Sequence, residues 1–177
     1  MDINKVFSII NRRLSNIVRY NNTPKIISEN VAEHSFFVTF YVMILGDLIE
    51  NLNIEKALEL ALIHDIEESI SGDIPHNIKQ KYPFLNKSLE DMNLLIASEI
   101  FENNNKYVSL WKEERAGITL ESKLVLFADI LSGYLYTRNE LAMGNIFMQE
   151  INLEQKNRLI QMLDDTIFYR IKKELLL

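Results

Sequence analysis

The stretch Lys123-Leu124-Val125-Leu126-Phe127-Ala128-Asp129-Ile130-Leu131 constrains the fold more than any other part of the chain. Read as a helix it is apolar on nearly every face, and such a helix is stable in water only when other elements surround it. The spacing predicts a central buried helix over residues 118–138, with one carboxylate, Asp129, embedded in it. Helices must then supply the cover. Only 5 Gly and 3 Pro interrupt 177 residues, and turn clusters are few, so the expected class is all-α. At 47% apolar the chain can bury one sizeable core and is short for two, which predicts a single domain over 1–177.

The remaining elements follow from apolar periodicity. A first helix is expected over about 4–19, with Val6, Phe7, Ile10 and Leu14 on one face, ended by the polar break Tyr20-Asn21-Asn22-Thr23-Pro24. A second begins at Asn30, which stands in capping-box spacing with Glu33, and directs Phe37, Phe40, Tyr41, Ile44, Leu45 and Leu48 inward. A third, over about 54–69, carries Ile54, Ala57, Leu58, Ala61 and Leu62, a stripe whose own period arrives at Asp65. Pro83 opens a long helix to about residue 103. From about Leu153, Ile160, Leu163, Ile167, Ile171 and Leu175 describe a covering helix with no chemical role.

Composition also excludes function classes. Zero cysteines remove disulfides, thiolate metal sites and cysteine nucleophiles. A net charge of -6 with no Lys/Arg block argues against a general nucleic-acid surface. No run approaches the eighteen or so apolar residues of a membrane span, and no signal-peptide core follows Met1, so a cytoplasmic protein is expected.

Against this background four polar residues stand out: His34, the adjacent His64-Asp65, and Asp129, each in or beside an apolar helical stretch. Burying an imidazole or carboxylate without a partner costs several kcal/mol. One resolution is a divalent metal; another is that the four are separate core residues satisfied by hydrogen bonds or by Lys and Arg. The His-Asp dipeptide alone decides nothing, since three His and eight Asp in a shuffled chain of this length meet roughly once in seven tries. Two nitrogen and two oxygen ligands suit one Mn, Co, Fe, Zn or Mg ion with positions left open. Glu68, four residues after His64, would share its face and could activate a water; Glu67, about 100° away, is expected in solvent. Asp73, after Gly72, is either a second acid/base or a helix cap. Arg19 is either a phosphate fork or a surface residue. His76 is expected at a surface or pocket edge, and Tyr107 and Trp111 as packing between two helices.

Taken together and in order, Glu29-Asn30-Val31-Ala32-Glu33-His34-Ser35, His64-Asp65-Ile66-Glu67-Glu68, Ser71-Gly72-Asp73-Ile74-Pro75 and Ala128-Asp129 resemble the HD-domain metal-dependent phosphohydrolases. Within them the chain is most similar to the bacterial 5'-deoxynucleotidases, over about residues 19–136. The resemblance implies a helical HD-domain bundle, a metal held by His34, His64, Asp65 and Asp129, proton transfer assisted by Glu68 and Asp73, and phosphate contact by Arg19. It implies a nucleotide substrate and a homodimer. One departure concerns the sugar: those enzymes carry tryptophan after the arginine, where it helps exclude a ribose 2'-hydroxyl, and here Tyr20 takes its place. The absence of histidines after His76 favours one ion over two. Two rivals remain open: hydrolysis of nucleoside triphosphates to triphosphate, for which Lys79 and Lys81 are candidate cations, and a non-catalytic module that binds metal or nucleotide.

Overall fold

The structure, a computed structural model, describes residues 1–75 and 81–175. Among them nine α-helices are found and no strand, only an isolated antiparallel bridge between Val18 and Asn30. The helices are α1 (Ile3–Ile10), α2 (Val31–Gly46), α3 (Ile54–Ile63), α4 (Glu68–Ser71), α5 (Asn86–Ile100), α6 (Asn105–Ala116), α7 (Leu120–Ala142), α8 (Gln149–Met162) and α9 (Tyr169–Glu174). The all-α expectation holds. No helix among the described residues is long and apolar enough to cross a membrane.

Local chemistry fixes the helix starts. Asn30 accepts from the Glu33 amide at 3.0 Å while the Glu33 carboxylate accepts from the Asn30 amide at 3.1 Å, a closed capping box that sets the phase of α2 and hence of His34. Asn53, Asn104 and Thr119 cap α3, α6 and α7 by side-chain acceptance from the Lys56, Lys106 and Ser122 amides. Gly117 ends α6 in the left-handed conformation, φ 62°, which admits the chain into α7.

As its sequence requires, α7 is the central element, packed by α2, α3, α6 and α8. Val38, Val42, Leu60, Leu124, Phe127, Leu131 and Leu159 form the main core, and Phe127 stacks on Phe168 at 4.8 Å. A second cluster of Ile66, Ala97, Ile100, Phe101 and Trp111 joins α5 and α6 to the turn after α3.

Four expectations are corrected. The first helix stops at Ile10: Arg12 takes a positive φ of 54°, and a short 3-10 turn at Leu14–Asn16 leads into extended backbone at Ile17. The inward face of α2 is Val31, His34, Val38 and Val42, leaving Phe37, Phe40 and Ile44 exposed. A helix apolar all round carries no periodicity to reveal its buried side, and the slim valines are what fit against α3 and α7. The third helix ends at Ile63, and residues 64–67 form a tighter turn with bonds such as Ile66 N to Ile63 O and Glu68 N to Asp65 O. The helix after Pro83 is a 3-10 turn followed by α5, which ends at Ile100.

Candidate metal centre and nucleotide pocket

Three elements deliver the four polar residues to one point. The second turn of α2 supplies His34, fully buried; the turn after α3 supplies His64 and Asp65; the middle of α7 supplies Asp129. His34 Nε2 lies 3.3 Å from His64 Nε2, 3.7 Å from Asp65 Oδ2 and 3.0 Å from Asp129 Oδ1, and His64 Nε2 is 3.1 Å from Asp65 Oδ2. The ligating atoms of His34, His64 and Asp65 all lie within 4.8 Å of one another; Asp129 joins at the edge, through His34. A cation about 2.1 Å from its ligands sets them about 3.0 to 3.4 Å apart, so the donor set fits a small divalent ion.

Of the outer contacts, those of His64 and Ser132 agree with that fit, and that of Arg19 must change with it. His64 Nδ1 faces the Ala61 carbonyl at 2.8 Å, which places the proton there and leaves the Nε2 lone pair for an ion. His34 Nδ1 is 3.1 Å from Ser132 Oγ and 2.6 Å from Arg19 Nη1. Ligation through His34 Nε2 puts a proton on Nδ1 for Ser132; a guanidinium, which only donates, then loses its place against the ring.

Without a cation the cluster holds a proton instead. Burial opposes the His64 imidazolium, yet the Asp65 carboxylate, assisted by Asp129, lifts it to about 10. Burial and the Arg19 charge push His34 down to about 4, against the pull of Asp129. A 3.3 Å contact between two Nε2 atoms places one proton between the rings, donated by one and accepted by the other. Burial alone would raise the Asp65 and Asp129 carboxyls, but the histidines hold both below the usual range. A divalent ion must displace the shared proton, so its affinity rises with pH.

A pocket of about 290 Å³ opens beside this cluster. Arg19, Tyr20, Glu68, Asp73, Asp65 and Asp129 all line it, so every candidate site residue except the two buried histidines reaches the same cavity. Arg19 is not a surface residue: it pairs with Glu29 at 2.8 Å and stands 3.9 Å from Asp129. Asp73 Oδ2 accepts from the Tyr20 amide at 3.3 Å, joining the two loops of the pocket mouth. Glu68 is reached through the turn after α3 rather than along a continuous helix. Burial, then Asp65 and Asp73, raise its carboxyl well above the usual range. His76 and Lys79 lie outside the described residues.

Glu67 overturns its expectation. It is 2% exposed, accepts from Trp111 Nε1 at 2.9 Å and pairs with Arg115, which also donates to the His64 carbonyl. Trp111 therefore packs the helices, as expected, and also fixes the turn that presents Asp65. Arg115, with Gln155 and Arg158 of α8, lines the pocket and escaped the sequence reading, as did the chemical content of the C-terminal segment. These are single polar residues on amphipathic helices, where such residues are ordinary surface.

A helical bundle that gathers two histidines and two aspartates from separate helices around one small cation site, beside a pocket with an arginine, is the architecture of an HD-domain phosphohydrolase. Solved structures share the fold: a Pyrococcus horikoshii protein at TM-score 0.81 and 22% identity, covering 97% of this chain and 95% of its own. An HD-domain phosphohydrolase of Listeria innocua superposes at TM-score 0.75 and 23% identity, covering 98% of each chain. The cyanophage S-2L HD phosphohydrolase DatZ, bound to dA and one catalytic Zn²⁺, superposes at 0.70 and 21% identity, covering 94% of this chain and 87% of its own. The YfbR-like 5'-deoxynucleotidase family model matches residues 6–174, and the chain belongs to that family. A 5'-deoxynucleotidase of Yersinia pestis is 31% identical over 142 residues, covering 75% of this chain and 72% of that protein.

Proposed function

We infer that this chain is a metal-dependent phosphohydrolase that removes the 5'-phosphate from nucleoside monophosphates, deoxyribonucleotides among them. The observation that carries the reading is the convergence of His34, His64, Asp65 and Asp129 at the wall of a pocket that also holds Arg19. His34, His64, Asp65 and Asp129 would hold one divalent ion of the Co, Mn, Mg, Fe or Zn group. Such an ion, when bound, supplies positive charge that polarises a phosphoryl oxygen and acidifies water.

The chain's own groups supply the rest. Arg19 is a fork for two phosphoryl oxygens, and freed from the His34 ring it faces the cavity. Glu68, its carboxyl raised well above the usual range by burial and by Asp65 and Asp73, takes the proton of the attacking water. Water attacks phosphorus, the bond from phosphorus to the 5'-oxygen breaks, and Asp73 is placed to relay the proton that the leaving alkoxide needs. Phosphate and a nucleoside leave. The presence of Glu68 and Asp73 in the pocket argues against a binding-only module, which needs neither. Arg158 in the lining is the observation that favours the triphosphate reading, so substrates of both lengths belong in the test.

The proposal extends to residues 1–177 acting as one domain, in the cytoplasm, as a homodimer. Its test is phosphate release from deoxy- and ribonucleoside mono- and triphosphates with Mn²⁺, Co²⁺ and Mg²⁺ compared. Elemental analysis should find about one divalent ion per chain, lost in His64→Ala. A protein that releases phosphate at full rate in chelator removes the reading.

A further inference from the structure

Three buried polar atoms of residues lining the pocket have no hydrogen-bond partner among the described residues: the Tyr20 hydroxyl oxygen and the amide oxygens of Asn93 and Gln155. The side chains of Tyr20 and Gln155 meet at one place. A Cβ built on Gly133 of α7 would stand 3.0 Å from the Tyr20 hydroxyl and 3.3 Å from Gln155 Nε2, so both side chains rest on the bare backbone of that glycine.

The Tyr20 hydroxyl is not orphaned through looseness. The Tyr20 ring stacks flat on Tyr136 at 5.2 Å, with the Arg19 guanidinium 5.2 Å from its centroid. Its backbone is held at φ 52°, a conformation that bulky residues rarely adopt. The Tyr20 amide bonds to Asp73, and its carbonyl accepts from the Thr23 amide and from Lys25 Nζ at 2.9 Å. A fixed, strained residue in the lining of a substrate pocket, with its buried hydroxyl unsatisfied, is expected to find its partner in the substrate.

The two atoms define that partner. The amide oxygen only accepts, and the phenol must donate its proton, so one group that both accepts and donates satisfies the pair. An alcohol does this. Gly133 is one helical turn, about 6 Å, beyond Asp129 at the cation site. With the phosphoryl group at Arg19 and that site, the sugar of a 5'-nucleotide falls at this distance. We propose that Tyr20 and Gln155 hold the 3'-hydroxyl of the sugar: Tyr20 donates to its oxygen and its proton goes to the Gln155 amide oxygen, over a floor that Gly133 keeps low. Gln155 is then a specificity residue, and deoxyribose, which retains the 3'-hydroxyl, satisfies it as fully as ribose. The inference rests on the 5'-nucleotidase reading.

The experiment compares kcat/KM for a 2'-deoxynucleoside 5'-monophosphate and its 2',3'-dideoxy analogue in the wild type, Gln155→Leu and Tyr20→Phe. The wild type should prefer the 3'-hydroxyl substrate by at least about tenfold. Each variant should bring the two substrates to within about twofold, by losing rate on the 2'-deoxy substrate alone. Equal use of both substrates by the wild type overturns the proposal, and so do variants that slow both by one factor. A Gln155→Leu enzyme with altered preference among the four bases and unchanged 3' dependence assigns Gln155 to the base instead. If the wild type hydrolyses no monophosphate, the nucleotidase reading fails and takes the proposal with it; the other negative outcomes remove the proposal alone.

Discussion

Glu67 and Glu68 are adjacent, and the fold gives them opposite roles. Both line the pocket, but Glu67 is buried and locked between Arg115 and Trp111, whereas Glu68 is half-buried at the cavity. Replacing Glu68 by Gln keeps the shape and removes the proposed base: about 10²- to 10⁴-fold of turnover should go while the metal content stays at the wild-type level. Because burial, Asp65 and Asp73 raise its carboxyl, and because a base works deprotonated, wild-type turnover should fall as pH drops through that raised value. The acid limb should vanish from the residual activity of Glu68→Gln; unchanged turnover would reassign the role to Asp73. The proposed reading makes selectivity for deoxyribose turn on Tyr20, whose ring is smaller than the tryptophan expected there from the family resemblance. Tyr20→Trp should widen the deoxy-over-ribo ratio of kcat/KM and Tyr20→Ala narrow it, from a wild-type margin of about 10²-fold or less, the range that packing alone achieves. Three equal ratios would detach Tyr20 from the sugar. Residues of this kind differ in how they announce themselves. His34, His64 and Asp129 are legible because a polar group in an apolar run needs a reason. Gln155 and Arg115 sit where an amphipathic helix normally shows polar residues, and only the pocket reveals them.

At the scale of elements, α6 shows what holding the site together demands. Its Arg115 ties down the turn after α3, and beside it Glu114 is 9% exposed, with burial lifting its carboxyl to about 7 against the pull of Arg115 and His64. A folded-state value above the unfolded one means that the native protein binds the proton more tightly. The group therefore favours folding most at acid pH, and that contribution is lost as pH rises from about 4.5 through 7. Glu114→Gln should be more stable than the wild type at pH 8, by an amount on the order of 1 to 3 kcal/mol, and indistinguishable from it near pH 5. Urea unfolding at the two pH values, with chelator present in both proteins, measures this; a gap that does not change with pH assigns the effect to packing. Legibility is uneven here too. The capping box of Asn30 and Glu33 was readable because it is a local hydrogen-bond pattern. The break of α3 at His64 was not, because it is imposed from outside by Arg115, which binds the His64 carbonyl from 51 positions away, and by Trp111, which binds Glu67 from 44 positions away.

For the whole molecule the telling element is α2, which is apolar all round yet covered on one side only. Its outer face carries Phe36 at 65% exposed, Phe40 at 45%, Met43 at 44% and Ile44 at 51%, with Phe37 beside them and no charged residue from Ser35 to Gly46. The rings of Phe36, Phe37 and Phe40 pack on one another rather than on the core. Three phenylalanines exposed to this degree leave roughly 300 Å² of apolar surface in water, and a patch of several hundred Å² is where proteins associate. A standard interface buries about 800 Å² per partner, so this stripe with a polar rim is large enough to seed one. Lacking charge, it selects a partner face that is equally apolar, and a second copy in two-fold contact offers that face at equal concentration. The resulting pair would clamp α2, whose first turns carry His34, so assembly and the metal site share an element. Sedimentation velocity should show a dimer at micromolar concentration, and Phe40→Glu, which puts two carboxylates into the seam, should shift it to monomer with the helical content preserved. A monomeric wild type, or a Phe40→Glu dimer as tight as the wild type, would mean that this face meets something other than its own copy.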